Sequence, residues 1–422
     1  MNRALVSFAL LSLASAPALA QEANPVDLYV SELRWRGGQL EVGEPARLTR
    51  GGRNSQPSFT PDGRAIVFSG QRGGPASQSD IFRIDLATGA ETQVTRTPEN
   101  ENSPTVEPGG ELLAVRWKPE TLFREYGPWV YGPDGVPRRG LLPGPDTVGY
   151  YARIDRNTFA LMRPMSRFRV ALFDVRTGQT RDVESPAAPL PPQRVPGARA
   201  VTFTRTDSSG HHRIRRVDVA TGRVTGVAPT VLGRTSHAWT PRGTLLMGKG
   251  NTLYALDPAR DTVWRAVRSF AGPELQNVTA YVVSPRGDRL VFYSSARVPL
   301  EVAMRDSLQA GRSAAEVAAL ARRLAAGGNF AVAEGGVLGL GGDWLAWGKA
   351  ADAAEIFAAA TEIFPRSFRA QTRLGDALRA AGERERAVAA YRRALELNPR
   401  GTEDERSAAA EVEKRLGELG AR

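Results

Sequence analysis

The chain contains no cysteine among its 422 residues. Disulfides, zinc–thiolate sites and thiol nucleophiles are therefore excluded. Histidine is scarce too, with three residues in the whole sequence, and these build the usual zinc sites only if carboxylates join them. The fold must rest on its apolar core, which a chain of this length is large enough to bury. We predict no cofactor and no bound metal.

Long apolar runs are also lacking, apart from a short one near the start. Arg3 precedes the apolar run Ala4 to Leu13, and small residues end at Ala20. This arrangement predicts a signal peptide over residues 1–20, since the apolar run is too short to cross a bilayer. Without cysteine a lipoprotein anchor is excluded. We therefore expect a soluble periplasmic or secreted chain that does not insert into a membrane.

Basic clusters interleaved with aromatic residues are lacking, although the net charge is +11. The arginines are scattered one or two at a time along the chain. Nucleic-acid binding surfaces concentrate their positive charge on one face or stripe. The sequence therefore does not predict a nucleic-acid partner.

The composition changes once along the chain. From Val26 to about Val302, short β-rich runs alternate with proline, glycine and aspartate, whereas the sequence after Met304 is rich in alanine, leucine, glutamate and arginine at helical spacing. This change predicts an all-β domain over residues 21–302 and an all-α domain over residues 303–422.

A turn signal recurs through the first region at spacings of about 45 residues, which is the length of a β-propeller blade. Proline, glycine and aspartate in such turns, flanked by β-branched and aromatic residues, favour hairpins. The copies centre on Pro61-Asp62, Pro108-Gly109, Asp155-Arg156, Pro196-Gly197, Pro241-Arg242 and Pro285-Arg286.

A second marker predicts four strands in each unit. Asp85, Asp174 and Asp218 each precede a Thr-Gly pair, and we interpret them as carboxylates that bind turn backbone, one per unit, rather than as a catalytic pair. The sixth unit has only two strands before the helices begin. We expect the strands within residues 26–49 to complete it, giving six blades and no open sheet edge.

These repeats resemble the TolB-like family of WD-type propellers. The resemblance rests on Gln56-Pro57-Ser58-Phe59-Thr60-Pro61-Asp62-Gly63, on Ile66-Val67-Phe68 and on Asp80-Ile81-Phe82-Arg83-Ile84-Asp85. It covers about Val26 to Val302 and is weaker in the third and fourth units. It implies a periplasmic or envelope propeller that binds other proteins, without implying one fixed partner.

The second region has a period of 34 residues. Gly348, Ala353, Phe357, Ala360 and Pro365 recur as Gly382, Ala387, Tyr391, Ala394 and Pro399. This pattern resembles the tetratricopeptide repeat, with copies at 334–367 and 368–401. Flanking helices are predicted at 314–326 and 403–419.

Catalytic motifs are sparse. The sequence has neither a Gly-x-Ser-x-Gly elbow nor a phosphate-binding Gly-Lys-Ser/Thr loop. His211 and His212 fall in a predicted exposed turn. His237 is predicted on an innermost strand, where it is either a channel-facing ligand or base, or a hydrogen-bonded structural residue.

Two binding surfaces are predicted. Polar and aromatic residues at one mouth of the propeller channel suit a peptide or a small polar ligand; the alternative is a solvated, water-filled rim. A shared face of one repeat helix would line a groove for an extended peptide, and its alternative is a solvated charged face. The mouth residues are Asn54, Gln56, Asn102, Ser103, Tyr150, Arg234, His237, Gln276 and Asn277, and the groove residues are Arg369, Thr372, Asp376 and Arg379.

We therefore expect a non-catalytic binding or scaffold protein with protein or peptide partners. Two alternatives from other classes stay open, because propellers host all three functions. One is a lyase or hydrolase acting on an envelope polysaccharide or peptide, and the other is a sensor of a small ligand.

Overall fold

The computed structural model describes residues 24–72, 78–117, 126–142, 147–163, 168–207, 210–398 and 401–420. The predicted signal peptide lies outside these residues, as does Pro399. Within them, residues 24–299 form a sheet region and residues 300–420 form a helical region.

The sheet region begins with β1 (Val26–Arg36), β2 (Gln39–Val42) and β3 (Ala46–Arg47). Two sets of four antiparallel strands follow. Set 1 is β4 (Arg53–Phe59), β5 (Ala65–Gln71), β6 (Asp80–Asp85) and β7 (Glu91–Gln93), and set 2 is β8 (Asn100–Val106), β9 (Leu112–Trp117), β10 (Gly127–Tyr131) and β11 (Pro137–Gly140).

Three further antiparallel sets have the same chain-order pairing. Set 3 is β12 (Tyr150–Asp155), β13 (Thr158–Arg163), β14 (Arg169–Asp174) and β15 (Gln179–Glu184). Set 4 is β16 (Gln193–Arg194), β17 (Ala200–Thr206), β18 (His212–Asp218) and β19 (Val224–Pro229). Set 5 is β20 (Ala238–Trp239), β21 (Leu245–Lys249), β22 (Thr252–Leu256) and β23 (Arg265–Ser269).

The two ends of the sheet region meet in one more set. Set 6 consists of β24 (Thr279–Val283) and β25 (Arg289–Ser295) together with β1 and its partners β2 and β3. β1 pairs antiparallel with β25, from Val26 opposite Ser295 to Glu32 opposite Arg289. One parallel contact, between Val26 and Arg53, joins this set to set 1. The strand nearest the N-terminus therefore covers the edge that β25 would otherwise expose.

The sets are arranged in a ring with their first strands innermost. β4 contacts β8, β12 contacts β16, β16 contacts β20, β20 contacts β24, and β24 returns to β4. Between β8 and β12, the Tyr151 hydroxyl donates to the Ser103 carbonyl at 3.0 Å. Among the described residues, one apolar cluster lies between each pair of neighbouring sets, so the core is divided into six parts around the ring.

The predicted carboxylate turns are confirmed. Asp85 Oδ1 accepts hydrogen bonds from the backbone N–H groups of Ala87 and Thr88, both at 3.0 Å. Asp174 and Asp218 bind their own turns in the same way. Each turn closes on a glycine with φ between 70° and 72°, a left-handed conformation that favours glycine. These carboxylates are therefore occupied by local backbone.

The helical region begins with α1, which follows β26 (Val298–Pro299) directly. β26 pairs in parallel with β27 (Phe330–Ala331). Ser313 and Glu316 form a capping box at the start of α2, and Thr402 and Glu405 form one at the start of α7. The helices are α1 (Leu300–Gln309), α2 (Ala314–Ala326), α3 (Glu334–Ala346), α4 (Ala350–Ile363), α5 (Phe368–Ala380), α6 (Arg384–Leu397) and α7 (Glu403–Glu418).

One close helix contact occurs twice, 34 residues apart. A Cβ placed on Gly341 would lie 2.6 Å from the Phe357 ring, and one placed on Gly375 would lie 2.5 Å from the Tyr391 ring. Both aromatic side chains are fully buried. The glycines therefore let α3 approach α4, and α5 approach α6, at the same point of each pair.

The helical core is separate from the ring core. Its buried apolar side chains all come from residue 300 onward and include Leu300 and Met304 of α1. α1 therefore buries its apolar side within the helical region, although it is the first helix after the sheets.

Candidate functional site at the ring mouth

Another side of α1 is polar. Its Asp306 and Gln309 contact the sheet region, whereas Arg305 pairs with Asp343 of α3 at 3.5 Å and Glu301 lies beside Gly336 of α3. Glu301, Arg305, Asp306 and Gln309 lie at helical spacings that place them close together on the helix surface. The partners of Asp306 and Gln309 in the sheet region lie at the end of the ring where the innermost strands begin. In antiparallel neighbours, the start of the first strand, the end of the second and the start of the third lie at one end of a sheet. We call this end of the ring the ring mouth.

Asp306 lies against two cations of the ring mouth. Its Oδ2 is 3.4 Å from the Arg234 guanidinium, just before β20, and 3.4 Å from Lys249 Nζ, at the end of β21. The Arg234 side chain is only 12% exposed, so this pair is screened less than a surface salt bridge. Set 5 therefore presents a positive pair to which α1 supplies the carboxylate.

Gln309 binds the backbone of the ring mouth with both ends of its amide. Its Oε1 accepts from the Gly233 N–H at 2.6 Å, and its Nε2 donates to the Gly210 carbonyl. Gly210 also leaves room for Trp344 of α3, whose ring lies 3.0 Å from a Cβ placed there. The loops before β18 and β20 thus offer one donor and one acceptor, and a single side chain uses both.

The opposite end of α1 lies near set 1. Burial raises the pKa of Glu301, and the nearby charges of Arg305 and Arg53 partly oppose that rise. Arg53 is the first residue of β4, whereas Gly210 and Gly233 belong to sets 4 and 5. A helix of this length spans about 15 Å. The charge of Arg53 in set 1 therefore acts on Glu301 near the N-terminal end of α1, whereas the C-terminal end of α1 contacts sets 4 and 5.

Several polar atoms of α1 and of the strand sets beside it are buried without a hydrogen-bond partner among the described residues. They are Asp306 Oδ1, Glu301 Oε2, His212 Nε2 and Arg234 Nε. His212, predicted from the sequence in an exposed turn, is instead buried at the start of β18. Its Nδ1 is paired with the Thr206 hydroxyl at 3.0 Å, and burial lowers the His212 pKa to about 3. An unpaired buried polar group costs about 1–3 kcal/mol. The contact between α1 and the ring mouth is therefore polar and incompletely satisfied.

The predicted mouth residues have different environments. Asn54 is fully buried, its amide donating to Val26 O at 2.8 Å while its carbonyl oxygen accepts from Arg72 at 2.8 Å. Asn277 is also buried, Asn102 is partly exposed, and Gln276 is exposed, its amide donating to Gly272 O at 2.8 Å. Of the predicted residues, Arg234 makes the direct contact with α1.

Gln56 and Ser103 lie at matching bulges of β4 and β8. Both have positive φ, 53° and 52°, and Ala280 of β24 repeats this with 50°. Gln56 Oε1 accepts from the Ser103 N–H at 2.7 Å. Tyr150 hydrogen-bonds to Gln56, although burial still raises the tyrosine pKa. Left-handed conformations of such residues are strained and often accompany functional sites, and here three neighbouring sets share one.

His237 is packed inside the ring. Its Nε2 lies 2.8 Å from the Thr202 hydroxyl and its Nδ1 lies 3.4 Å from the Thr204 hydroxyl. Burial lowers its pKa to about 4. The neutral imidazole therefore bridges two threonines of β17 next to β20, with both ring nitrogens engaged.

The predicted groove residues lie on α5, and two of them contact α7. Asp376 accepts from the Tyr391 hydroxyl and from Arg415, both at 2.8 Å. Arg379 lies 3.8 Å from Glu418. The Thr372 hydroxyl donates to Phe368 O at 2.9 Å, and Arg369 is exposed. Arg369 and Arg379 thus leave charge on the surface, whereas Asp376 is held by its own chain.

A separate cavity of about 420 Å³ lies between sets 1 and 2, lined in part by Arg96, Glu99 and Arg116. Beside it, burial raises the pKa of Glu101 to about 7, although Thr97 and Thr95 donate to its carboxylate. The carboxyl of Asp80 is close enough that each affects the other's pKa.

Lys249, Asp306 and Gln309 were not among the residues predicted from the sequence. Their partners are far away along the chain, and no local motif marks them. One usable signal was the polar side of α1 in a helix whose other side carries Leu300 and Met304.

Among the described residues, no helix is long and apolar enough to cross a membrane. Within the same residues, no group of three or more histidine, aspartate or glutamate side chains is placed to hold a metal ion.

No family model and no curated protein matches this chain. Solved structures that are similar to it are TolB-like β-propeller proteins at low identity. A putative TolB from Agrobacterium tumefaciens is 15% identical with a TM-score of 0.48, covering 65% of this chain and 99% of that one. TolB from Acinetobacter baumannii is 13% identical with a TM-score of 0.41, covering 64% of each chain.

A puromycin-hydrolysing peptidase from Mycobacterium tuberculosis is 16% identical with a TM-score of 0.41, covering 63% of this chain and 50% of that one. The similar structures therefore include both TolB proteins and an enzyme. The likeness is one of fold and does not distinguish binding from catalysis.

Proposed function

We propose that this protein is a non-catalytic periplasmic or secreted binding protein that recognises protein or peptide partners at the ring mouth and along the helical groove. The observation that carries the proposal is the contact between the ring mouth and α1. Arg234, Lys249, the Gly233 N–H and the Gly210 carbonyl already hold polar side chains of a polypeptide segment. Backbone donors and acceptors beside charged groups are what peptide recognition requires.

The proposal includes a six-bladed TolB-like propeller. If the single parallel contact between Val26 and Arg53 is taken as a boundary between blades, the six sets each supply one blade. The apolar clusters support this count, because one lies between each pair of neighbouring sets.

The proposal also includes two tetratricopeptide repeats at 334–367 and 368–401. They are supported by the repeated contact of Gly341 with Phe357 and of Gly375 with Tyr391. Gly348 and Gly382, also 34 residues apart, have φ of 78° and 81° after α3 and α5. Repeats of this kind stack into concave surfaces that bind partners.

The experiment is affinity capture by the immobilised chain from residue 21 onward, using the envelope fraction of its source organism. Captured proteins are cross-linked to the chain and the linked peptides are mapped by mass spectrometry. We expect cross-links at the ring mouth, near Arg234 and Lys249, or on α5 near Arg369. A chain that captures no protein, or whose cross-links lie only on the outer strands β7, β11, β15, β19 and β23, would contradict the proposal.

Catalysis is tested on the same preparation. His237 is the channel residue that the sequence offered as a base, and the buried imidazole lies between Thr202 and Thr204. We expect no turnover of envelope polysaccharides or peptides by the purified chain. Turnover that His237→Ala abolishes without changing the melting temperature would replace the binding function with an enzymatic one.

A further inference from the structure

The groups that α1 places on the ring mouth have the chemistry of an acidic peptide. Asp306 supplies a carboxylate to Arg234 and Lys249, with both distances 3.4 Å. Three residues later, Gln309 accepts from one backbone N–H and donates to one backbone carbonyl. A peptide group makes this same pair of bonds. The ring mouth therefore recognises a carboxylate with an amide close beside it.

The contact of α1 with the ring mouth can break without disturbing the helical core. The apolar α1 residues Leu300 and Met304 are fully buried in the helical core, which contains no side chain of the sheet region. Leaving the ring mouth would therefore keep the helical core intact. The contacts of α1 that would break are polar, and the packing of the Trp344 ring against Gly210 would break with them. Largely polar interfaces between domains are typical of transient association.

The fit of α1 is also incomplete. Asp306 Oδ1 and Arg234 Nε lack hydrogen-bond partners among the described residues although both are buried. A carboxylate on a free peptide could turn to meet the guanidinium with both oxygens, which is the favoured geometry for this pair. An external ligand can therefore satisfy donors that the helix, fixed in orientation by its own core, leaves unused.

We propose that Arg234, Lys249, the Gly233 N–H and the Gly210 carbonyl form a binding site for an acidic peptide segment, and that α1 occupies this site as an internal competitor. The inference rests on the proposed binding function and specifies its ligand and its control. When α1 lies on the ring mouth, it fills the binding site. Partner binding displaces α1 together with the helical region to which α1 is fixed.

The test compares the full chain with the variant Asp306→Ala/Gln309→Ala. The probe is a fluorescent synthetic peptide with the sequence of residues 300–309, and the control probe carries Asn at the Asp306 position. In the wild-type chain the tethered segment competes at high effective concentration, so we expect the variant to bind the probe at least about tenfold more tightly. The control probe should bind weakly to both chains.

Two further variants locate the binding. We call the Asp306→Ala/Gln309→Ala chain the open variant. Adding Arg234→Met/Lys249→Met to it should abolish probe binding, because the carboxylate of the probe then meets no cation. Glu362→Gln removes an ion pair with Arg322, 2.6 Å long and confined to the helical region. It should leave probe affinity at the wild-type value. Circular dichroism and thermal melting confirm that each variant is folded.

Hydrogen exchange in residues 300–309 reports whether α1 has left the ring mouth. Faster exchange in the open variant, with no gain in probe affinity, would show that the ring mouth is not an acidic-peptide site. Unchanged exchange would show that Asp306 and Gln309 do not hold α1. Equal probe affinity for both chains would show that α1 does not compete. Each result overturns the inference.

The capture experiment tests the proposed binding function independently of the acidic-peptide site. If partners are captured and cross-link only to α5, the binding function stands and the acidic-peptide site does not. If the probe binds the open variant while no envelope protein is captured, the site stands and the proposed function must be revised.

Discussion

The two regions of this molecule are built on opposite connectivities. The sheet region is a ring in which β1 pairs with β25 and every set has two neighbours. The helical region from α3 to α7 is an open row, in which each helix contacts the next. A ring has no terminal unit, whereas a row has two. Losing one element should therefore be costly throughout the ring but local in the row.

The regions also differ in how neighbours meet. Between strand sets, large apolar side chains from both sides fill each cluster, such as Leu28 of β1 and Phe68 of β5 in the cluster between sets 6 and 1. Between paired helices, a glycine instead removes bulk so that an aromatic ring can approach a helix axis. Added volume at either of these glycines would therefore collide with an aromatic ring.

Deletion of Val26–Arg47 should have the largest effect. It removes Leu28 from one apolar cluster and Tyr29, Leu33 and Val42 from the next, and it exposes the edge of β25. We expect the cooperative unfolding transition of the sheet region to disappear in thermal melting followed by circular dichroism. The matched deletion of residues 402–420 removes Val412 and Leu416 from the end of the row, and it should leave that transition intact. A sharp transition in the first deletion would show that the ring does not depend on β1.

The glycine contacts should give the next largest effect. Gly375→Ala forces a Cβ to within 2.5 Å of the Tyr391 ring, and overpacking of this kind costs about 1–3 kcal/mol. Gly342→Ala is the matched control, because a Cβ there has nothing within 4 Å. That control should stabilise the helix by about 0.5–1 kcal/mol. Urea denaturation measures both changes, and equal effects would contradict the packing role of Gly375.

Glu101→Gln should change the dependence of stability on pH within the ring. Burial raises the folded-state pKa of Glu101 to about 7, from an ordinary 4.5. The folded state therefore holds the proton more tightly, so this stability is fully present below pH 4.5 and is lost as pH rises through 7. The neutral amide removes that loss. We expect the variant to equal the wild type near pH 4 and to exceed it by about 1–2 kcal/mol at pH 8.

The polar and charged groups around the Glu101 carboxylate also affect this measurement. Thr95 and Thr97 bind the Glu101 carboxylate, and Asp80 and Glu99 add negative charge. His212 and His237, whose folded pKa values are lowered by burial, give the opposite trend because their stability is lost as pH falls below about 6.5. The two histidines are unchanged by the substitution, so the difference between variant and wild type reports Glu101 together with its coupled neighbour Asp80. A difference that stays constant from pH 4 to pH 8 would contradict the assignment.

Local features of this fold could be predicted from the sequence, whereas long-range ones could not. Asp85 binds backbone two and three residues away, so the Asp-x-x-Thr-Gly pattern was sufficient to predict it. Asp306 pairs with Arg234, which lies 72 residues earlier in the chain. No local sequence pattern predicts a contact over that separation. Asn54 was predicted at the mouth from its place before a strand, but whether its amide faces the channel or Val26 O depends on how β1 closes the ring.

The smallest effect on stability, and the sharpest on function, should come from Arg369→Glu/Arg379→Glu. Both side chains are exposed, and Arg379 meets the half-exposed Glu418 at 3.8 Å, so the free energy of unfolding should change by no more than about 0.5 kcal/mol. Asp376 keeps its bonds to Tyr391 and Arg415, which holds α5 against α7. If α5 lines a groove for peptides, the variant should capture fewer partners from the envelope fraction.

The matched control is Arg393→Glu, which reverses an exposed arginine on α6 that pairs with Glu396 at 2.7 Å. It changes the net charge in the same direction but lies on the second helix of its pair, away from the predicted groove. Equal losses of captured protein in both variants would indicate a general effect of charge. Unchanged capture by the Arg369/Arg379 variant would show that the charged face of α5 is solvated, and that partner binding belongs to the ring alone.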